Sequence, residues 1–488
     1  MEALGRDYAS NVALLRRALR TDENFDMLVQ TVRVGEDELT GFYIDGFTDG
    51  AVTQRVIQYF MSQKGLPASA EEFATGSVPH AEVSRESRTD ALILAVLSGQ
   101  SVWLGSTFGG AAVIVDTRAY PARETAEPES DRVMQGAHDG FVETLLFNTA
   151  LIRRRLRDTR LTMSYFNAGG ASATDIVLCY LDGVADEKYV RLLRRRLSEI
   201  RPQSLTLGCQ SLCEVLIPRR WYNPFPKVRM LERPDAAAAE LCEGRVLVLC
   251  DTSPQVMALP TSIFDFMQET DDFYFPPLTG SYLRVLRNLV LLMSLVLTPL
   301  WYLAVSYADL LPAMLRFVVP TDPGELPVLL QLLLAEFAVD GLKLASMNTP
   351  GMLSNSLSVI GGLILGDFAV GVGWFCPDVI LYTAIVAIAS FTQQNHELGF
   401  SIKFMRMTTL ITTALFNIAG AGGWGFFFGM ALTLIALCTN TTLNGERRYL
   451  YPLIPFDGGA LLRLFFRLPK KDTGNPAARE AEKNQKSA

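Results

Sequence analysis

Glu336, Asp340 and Lys343 stand inside an apolar stretch running from about Leu326 to Met347. Their i, i+4, i+7 spacing puts all three side chains on one face of a helix. The chemistry open to such a row is the handling of ions. A charge at bilayer depth costs about 2.5–3.5 kcal/mol, so this face should look into a protein bundle or a wet cavity. Asp340 and Lys343 are spaced to neutralise part of each other. Three readings stay open: an ion path, a salt bridge joining helices, or a shorter span with Lys343 reaching for the interface. Asp367 adds a third carboxylate among Gly361, Gly362, Gly366, Gly371 and Gly373. An interrupted helix with a buried acid is how transport sites are built, and a net negative lining would favour cations. A helix cap is the other reading of Asp367.

The elements that must position these residues follow from hydropathy. Residues 1 to about 285 are mixed and charged, whereas 289–440 are strongly apolar. Arg284 and Arg287 precede a first span of about Leu289 to Tyr307, which places the basic flank inside. The charged helix comes next, then a Gly-interrupted segment near Leu357 to Trp374 and an apolar run from Val379 to Phe391. Lys403 and Arg406 mark an inside loop. Thr408 to Ile418 and Trp424 to Cys438 follow as two short runs, either two spans or one re-entrant hairpin. Arg447, Arg448, Arg463, Arg467, Lys470 and Lys471 put the C-terminus inside.

Four regions are therefore expected: lobes over 1–125 and 132–285, a membrane domain of about five or six apolar segments over 286–445, and a cytosolic segment over 446–488, disordered after about 470. The fold class is an α+β cytosolic domain of two duplicated lobes followed by an α-helical polytopic membrane domain. The formal charge of −7 and pI near 5.3 leave no footprint of nucleic-acid binding. The seven cysteines form no zinc pattern and read as reduced, mostly buried thiols. No signal segment opens the chain, so the long N-terminal part is expected in the cytoplasm.

The duplication rests on two blocks. Tyr43-Ile44-Asp45-Gly46-Phe47-Thr48-Asp49 and Tyr180-Leu181-Asp182-Gly183-Val184-Ala185-Asp186 share Y-x-D-G-x-x-D. Each follows a strand-like run and precedes an amphipathic helix, Val52 to Met61 or Lys188 to Leu197. Farther on, Leu97-Ser98-Gly99 and Leu241 to Gly244 each end a helix before a hairpin. The Asp-Gly pairs read as turn and cap chemistry rather than metal or phosphate sites. No Walker loop, nucleophile elbow or HExxH stands in the chain. No enzyme activity, cofactor or metal is expected.

Asp139 to Arg157 reads as one helix capped by Asp139, its Arg153, Arg154, Arg155 and Arg157 forming a solvated basic face. Gly140-Phe141-Val142-Glu143, Asn148 and Leu151 to Leu156 resemble a block of the GerA-type spore germination proteins. Asn223-Pro224-Phe225-Pro226 and Glu232-Arg233-Pro234-Asp235 are similar to two further blocks, as is Glu243 to Pro254 with Leu259-Pro260-Thr261. The resemblance runs from about Asp139 to Pro469. Leu334-Ala335-Glu336-Phe337, Cys250 to Pro254 and Ile364 to Val370 look closest to a stage V sporulation branch. Where nutrient-receptor A subunits carry an ELLREA-like string, this chain has Glu336 to Gly341 without the arginine, which argues against a direct receptor role. The resemblance implies a multi-pass protein of the inner spore membrane, oligomerising through its N-terminal domain and contributing to an ion-conducting assembly. Its implied partners are the lipid bilayer, further copies of itself and other spore germination membrane proteins.

Overall fold

A computed structural model describes residues 3–76, 78, 82–119, 133, 136–200, 204–217, 221–269, 271–348, 361–362, 369–393, 395–441, 443 and 449–467. These residues divide into two compact units. One holds the α+β lobes, through residue 217 and over 228–261; the other is helical, over 221–227 and from Ser262 onward.

The first lobe runs α1 (Tyr8–Leu19), β1 (Met27–Val34), β2 (Asp37–Ile44), α2 (Gly50–Ser62), α3 (Ala70–Gly76), β3 (Val83–Glu86), α4 (Thr89–Leu97), β4 (Ser101–Gly105) and β5 (Ala112–Val115). The second repeats that order as α5 (Leu145–Arg155), β6 (Leu161–Ala168), β7 (Thr174–Leu181), α6 (Glu187–Glu199), α7 (Cys209–Leu216), β8 (Arg229–Leu231), α8 (Pro234–Cys242), β9 (Val246–Cys250) and β10 (Val256–Leu259). The sheet orders also match: β1-β2-β4-β5-β3 and β6-β7-β9-β10-β8, all antiparallel. The central strands are buried on both faces, so they read as apolar runs rather than alternations.

The repeated Y-x-D-G-x-x-D block does the same local work in both lobes. Gly46 and Gly183 take φ of +80° and +74° to turn the chain out of the strand. The last aspartate of each block caps the next helix: Asp49 accepts from the amides of Ala51 and Val52, Asp186 from Lys188.

Two expectations about the second lobe are corrected. Asp139 caps no helix; α5 starts at Leu145, whose amide donates to Asp251 Oδ1 at 3.0 Å. The preceding stretch is held off helical geometry because the Phe141 amide donates to the Glu232 carbonyl and the Thr252 amide to that of Glu143. Asp139 instead pairs with Arg155 at 2.6 Å. Nor is the whole basic run solvated. Arg153 is fully buried, donating from Nε and Nη2 to Asp26 at 2.6 and 3.0 Å and so tying the two lobes together. Beside it, burial pushes the Cys179 thiol up to about 12, with Arg153 pulling it partly back. Arg153→Met would leave Asp26 buried without its counter-charge. We expect a loss of about 3–5 kcal/mol, read as a lower denaturation midpoint of the lobes in the full-length protein.

The helical unit runs α9 (Asp271–Tyr274), α10 (Pro277–Ser306), α11 (Val328–Asn348), α12 (Pro377–Phe391), α13 (His396–Ile418), α14 (Gly422–Thr439) and α15 (Gly458–Phe465), with a single turn at Ala369–Gly371. By length and composition α10 and α14 are long and apolar enough to cross a membrane, and α12 is a shorter apolar helix. The two short runs expected near 408–438 prove to be the end of α13 and all of α14, folded back on each other at a turn where Gly420 takes φ +71°. A Cβ on Gly425 or Gly429 would come within 2.6 Å of the α13 backbone, so this small-xxx-small pair is what lets the two helices approach.

The division between units falls at Thr261/Ser262 rather than at 285. Ser262 and Asp265 close a capping box on the 3-10 turn Ile263–Met267, whose Phe266 and Met267 join the helical core. Tyr449 and Leu450 enter that same core, so this part of the 446–488 segment is structured. Arg284 and Arg287 are not a free flank: both lie within α10, paired with Asp272.

Candidate functional site

The charged row sits where α11, α12 and α13 meet. At its start, Pro327 precedes α11, and the buried Gln331 braces the turn. Its Nε2 donates to the carbonyls of Pro323 and Leu326, and its Oε1 accepts from the Cys376 amide at 2.9 Å. Cys376 and Pro377 open α12, so this one side chain fixes two helix starts against each other. Asn395 then caps α13 through the Leu398 amide.

Because α13 starts at His396, Lys403 and Arg406 are helical, not in the inside loop expected for them. The reason is electrostatic: the carboxylates of α11 stand opposite. Arg406 Nη2 donates to Glu336 Oε2 at 2.8 Å and lies 2.7 Å from Oε1. Its Nη1 donates to the Ser294 carbonyl of α10. Lys403 Nζ lies 3.3 Å from Glu336, donates to that residue's carbonyl and ion-pairs with Asp340. Glu336 is 3% exposed and Arg406 also 3%, a fully desolvated pair. Asp340 is more open, with 35% of its side chain exposed.

Lys343 is not held by Asp340, whose partner is Lys403. Its ammonium instead lies over the rings of Phe400 and Phe391, 4.9 and 5.5 Å from their centroids, a cation–π placement. These side chains line a narrow cavity of about 30 Å³, room for one or two waters. Thr383, Ser390 and His396 supply its other polar groups. Among the ionisable side chains of known sign here, two carboxylates face three cations, Lys343, Lys403 and Arg406. The described part of the lining thus sums to one net positive charge; the negative lining expected from the sequence counted Asp367 as a third carboxylate. Asp367 lies outside the described residues, so the row as described is Glu336, Asp340 and Lys343.

The sequence signal that could have found Lys403 and Arg406 is their spacing. An i, i+3 pair of cations in an apolar helix complements an i, i+4 pair of acids in another. No group of His, Cys, Asp or Glu suited to a metal occurs among the described residues.

The motif residues fall into two sets. Asn223, Pro224, Phe225 and Pro226 belong to the helical unit. The Asn223 side chain donates to the Ala436 carbonyl at 2.8 Å, Ser401 donates to the Pro224 carbonyl at 2.6 Å, and Tyr449 donates to that of Pro226 at 2.8 Å. Phe225 is buried beside Leu398 and Ile402. Prolines suit this stretch because its carbonyls are in use and fewer amides need partners. Glu232, Arg233, Pro234 and Asp235 belong to the second lobe. Glu232 accepts from Gln255 at 2.8 Å, and the buried Arg233 forms a fork onto Asp235 at 2.7 and 3.1 Å. Pro234 opens α8. Each of these contacts is structural.

A family model described as the Bacillus/Clostridium GerA spore germination protein matches residues 13–477. Stage V sporulation protein AF of Bacillus subtilis is 33% identical over 468 residues, covering 95% of this chain and 93% of that protein. An uncharacterized membrane protein of the same organism, YfkQ, is 28% identical over 402 residues, covering 82% and 76% respectively. Among solved structures, the N-terminal domain of the A subunit of the Bacillus megaterium spore germinant receptor GerK3 matches with a TM-score of 0.40 at 22% identity, over 53% of this chain and 96% of that one.

Proposed function

The chain belongs to the Bacillus/Clostridium GerA spore germination protein family, and from that premise we propose that it is a membrane subunit of an oligomeric ion channel or ion-release complex in the inner spore membrane. The lobes and the C-terminus lie on the cytoplasmic (core) side, and other germination membrane proteins join the complex. The observation that carries this reading is the five-charge cluster at the α11–α13 contact. Asp340, Lys343 and Lys403 line a water-sized cavity between helices that are otherwise apolar. Charges kept within a membrane layer belong, by default, to an ion or proton path. Apolar α10 and α14 support the membrane setting, and a relative is named as a membrane protein.

A second reading has its own support. Glu336 is buried against both Arg406 and Lys403, which is what a charge pair joining helices in a non-conducting scaffold would look like.

Reconstitution into liposomes separates these roles. In the ion-conducting reading, wild-type protein carries a voltage-driven current that Asp340→Asn alters at least several-fold. Saturable solute exchange would indicate a secondary transporter instead. A folded, oligomeric protein with neither current nor exchange would leave the scaffold.

A further inference from the structure

We propose that α15 and the 453–456 segment before it form an in-plane anchor lying on an anionic lipid surface. This rests on the reading that α10 crosses the membrane.

The sequence around α15 is short, basic and apolar at once. Asp457 caps it through the Ala460 amide, and Leu464 turns inward. Much of the apolar surface here is bare: Phe456 is 75% exposed and Leu462 61%, with Ile454 and Phe466 about half exposed. Arg463 and Arg467 share this end of the chain. A helix with an apolar face and arginines beside it lies in the headgroup plane, its rings in the acyl boundary and its cations toward phosphate.

The place where α15 docks sets its depth. The Arg467 amide donates to Ser281 Oγ at 2.9 Å, and Arg284 donates to the Arg463 carbonyl at 2.9 Å. Both contacts are in the first turns of α10. That helix has 30 residues, about 45 Å at 1.5 Å per residue, whereas the hydrocarbon core is about 30 Å thick. Its continuous apolar run starts near Leu289, so Ser281 and Arg284 lie in the headgroup layer when the run spans the core. α15 is therefore held at that depth, beside Leu278 and Tyr282, which are also exposed.

The charge balance selects the lipid. Asp272 is shared by Arg284 and Arg287, Glu269 pairs with Arg287, and Asp457 is engaged by Tyr451 and the Ala460 amide. The four arginines named here, Arg284, Arg287, Arg463 and Arg467, stand against these three acids, and the one positive charge in excess complements a phosphate-bearing surface of negative net charge.

The test places a benzophenone amino acid at Leu462 of the full-length protein, and in a second preparation at Leu292, exposed in α10. Each is reconstituted in phosphatidylcholine vesicles, with or without equimolar phosphatidylglycerol, and adducts are identified by mass spectrometry. The expected result is acyl-chain adducts at Leu462, several-fold more abundant with phosphatidylglycerol, the gain disappearing in an Arg463→Gln/Arg467→Gln background. Lipid adducts at Leu292 without any at Leu462 would overturn the anchor and leave the span. Adducts at Leu462 alone would support the anchor and remove the span. Crosslinks from Leu462 to a second copy of the chain would overturn the proposal in favour of a subunit contact. Equal labelling in the two lipid mixtures would overturn its electrostatic part.

Discussion

Arg406→Leu should destabilise the helical unit by about 3–5 kcal/mol, the cost of stranding one member of a buried ion pair. The guanidinium ties three helices: it donates to the Ser294 carbonyl of α10 and to Glu336 of α11 from its own place on α13. Without it, Glu336 keeps Lys403, at 3.3 Å, as its one cationic partner among the described residues. The expected readout is a large drop in the yield of folded protein in detergent and a lower unfolding temperature. Glu336→Gln on its own should cost a similar amount, because it leaves the buried Arg406 guanidinium without its counter-charge. The double variant Glu336→Gln/Arg406→Leu should recover much of the loss, since the two residues touch and their effects are not additive. Full additivity would mean that the pair does not hold these helices.

Lys403→Gln should act on charge rather than on folding. Lys403 reaches both Glu336 and Asp340, so it is a cation tethered between the two acids. Removing it leaves Glu336 with Arg406 and releases Asp340, the more exposed acid. Two unit charges about 4 Å apart interact by about 4 kcal/mol in a partly solvated protein environment, and each 1.4 kcal/mol is about tenfold in occupancy. A mobile cation should therefore occupy the vacated place at least tenfold more readily. In the conducting reading, cation flux through Lys403→Gln liposomes rises accordingly while the protein remains folded. The contrast with Arg406→Leu separates the charge that admits ions from the charge that holds helices.

Much of the α+β part was legible because its signals are local. The repeated Y-x-D-G-x-x-D block, with its turn glycine and capping aspartate, pointed to two copies, and both lobes show the same strand order. What was not legible depends on partners far away in sequence. Arg153 looked like one of a run of surface arginines, and only Asp26, 127 residues away, explains its burial. Asp139 looked like a cap, but carbonyls at Glu143 and Glu232 draw the following backbone into other hydrogen bonds. Lys403 and Arg406 looked like the basic flank of a span because single-segment hydropathy treats each helix alone. Opposite Glu336 and Asp340, the same cations lie within a helix and meet counter-charges on its neighbour. The NPFP block was legible only as a family-like motif, and its polar contacts, to Ala436, Ser401 and Tyr449, are all distant in sequence.

In the ion-conducting reading, the α11–α13 charge cluster sets which ions pass. The most direct measurement is the reversal potential across planar bilayers under a salt gradient, for the wild type and for Lys343→Gln/Lys403→Gln. The double variant converts a lining of two acids and three cations into one of two acids and one. The account predicts a clear shift toward cation selectivity. An unchanged reversal potential, with current still flowing, would show that ions take another route and that the cluster only fastens helices together.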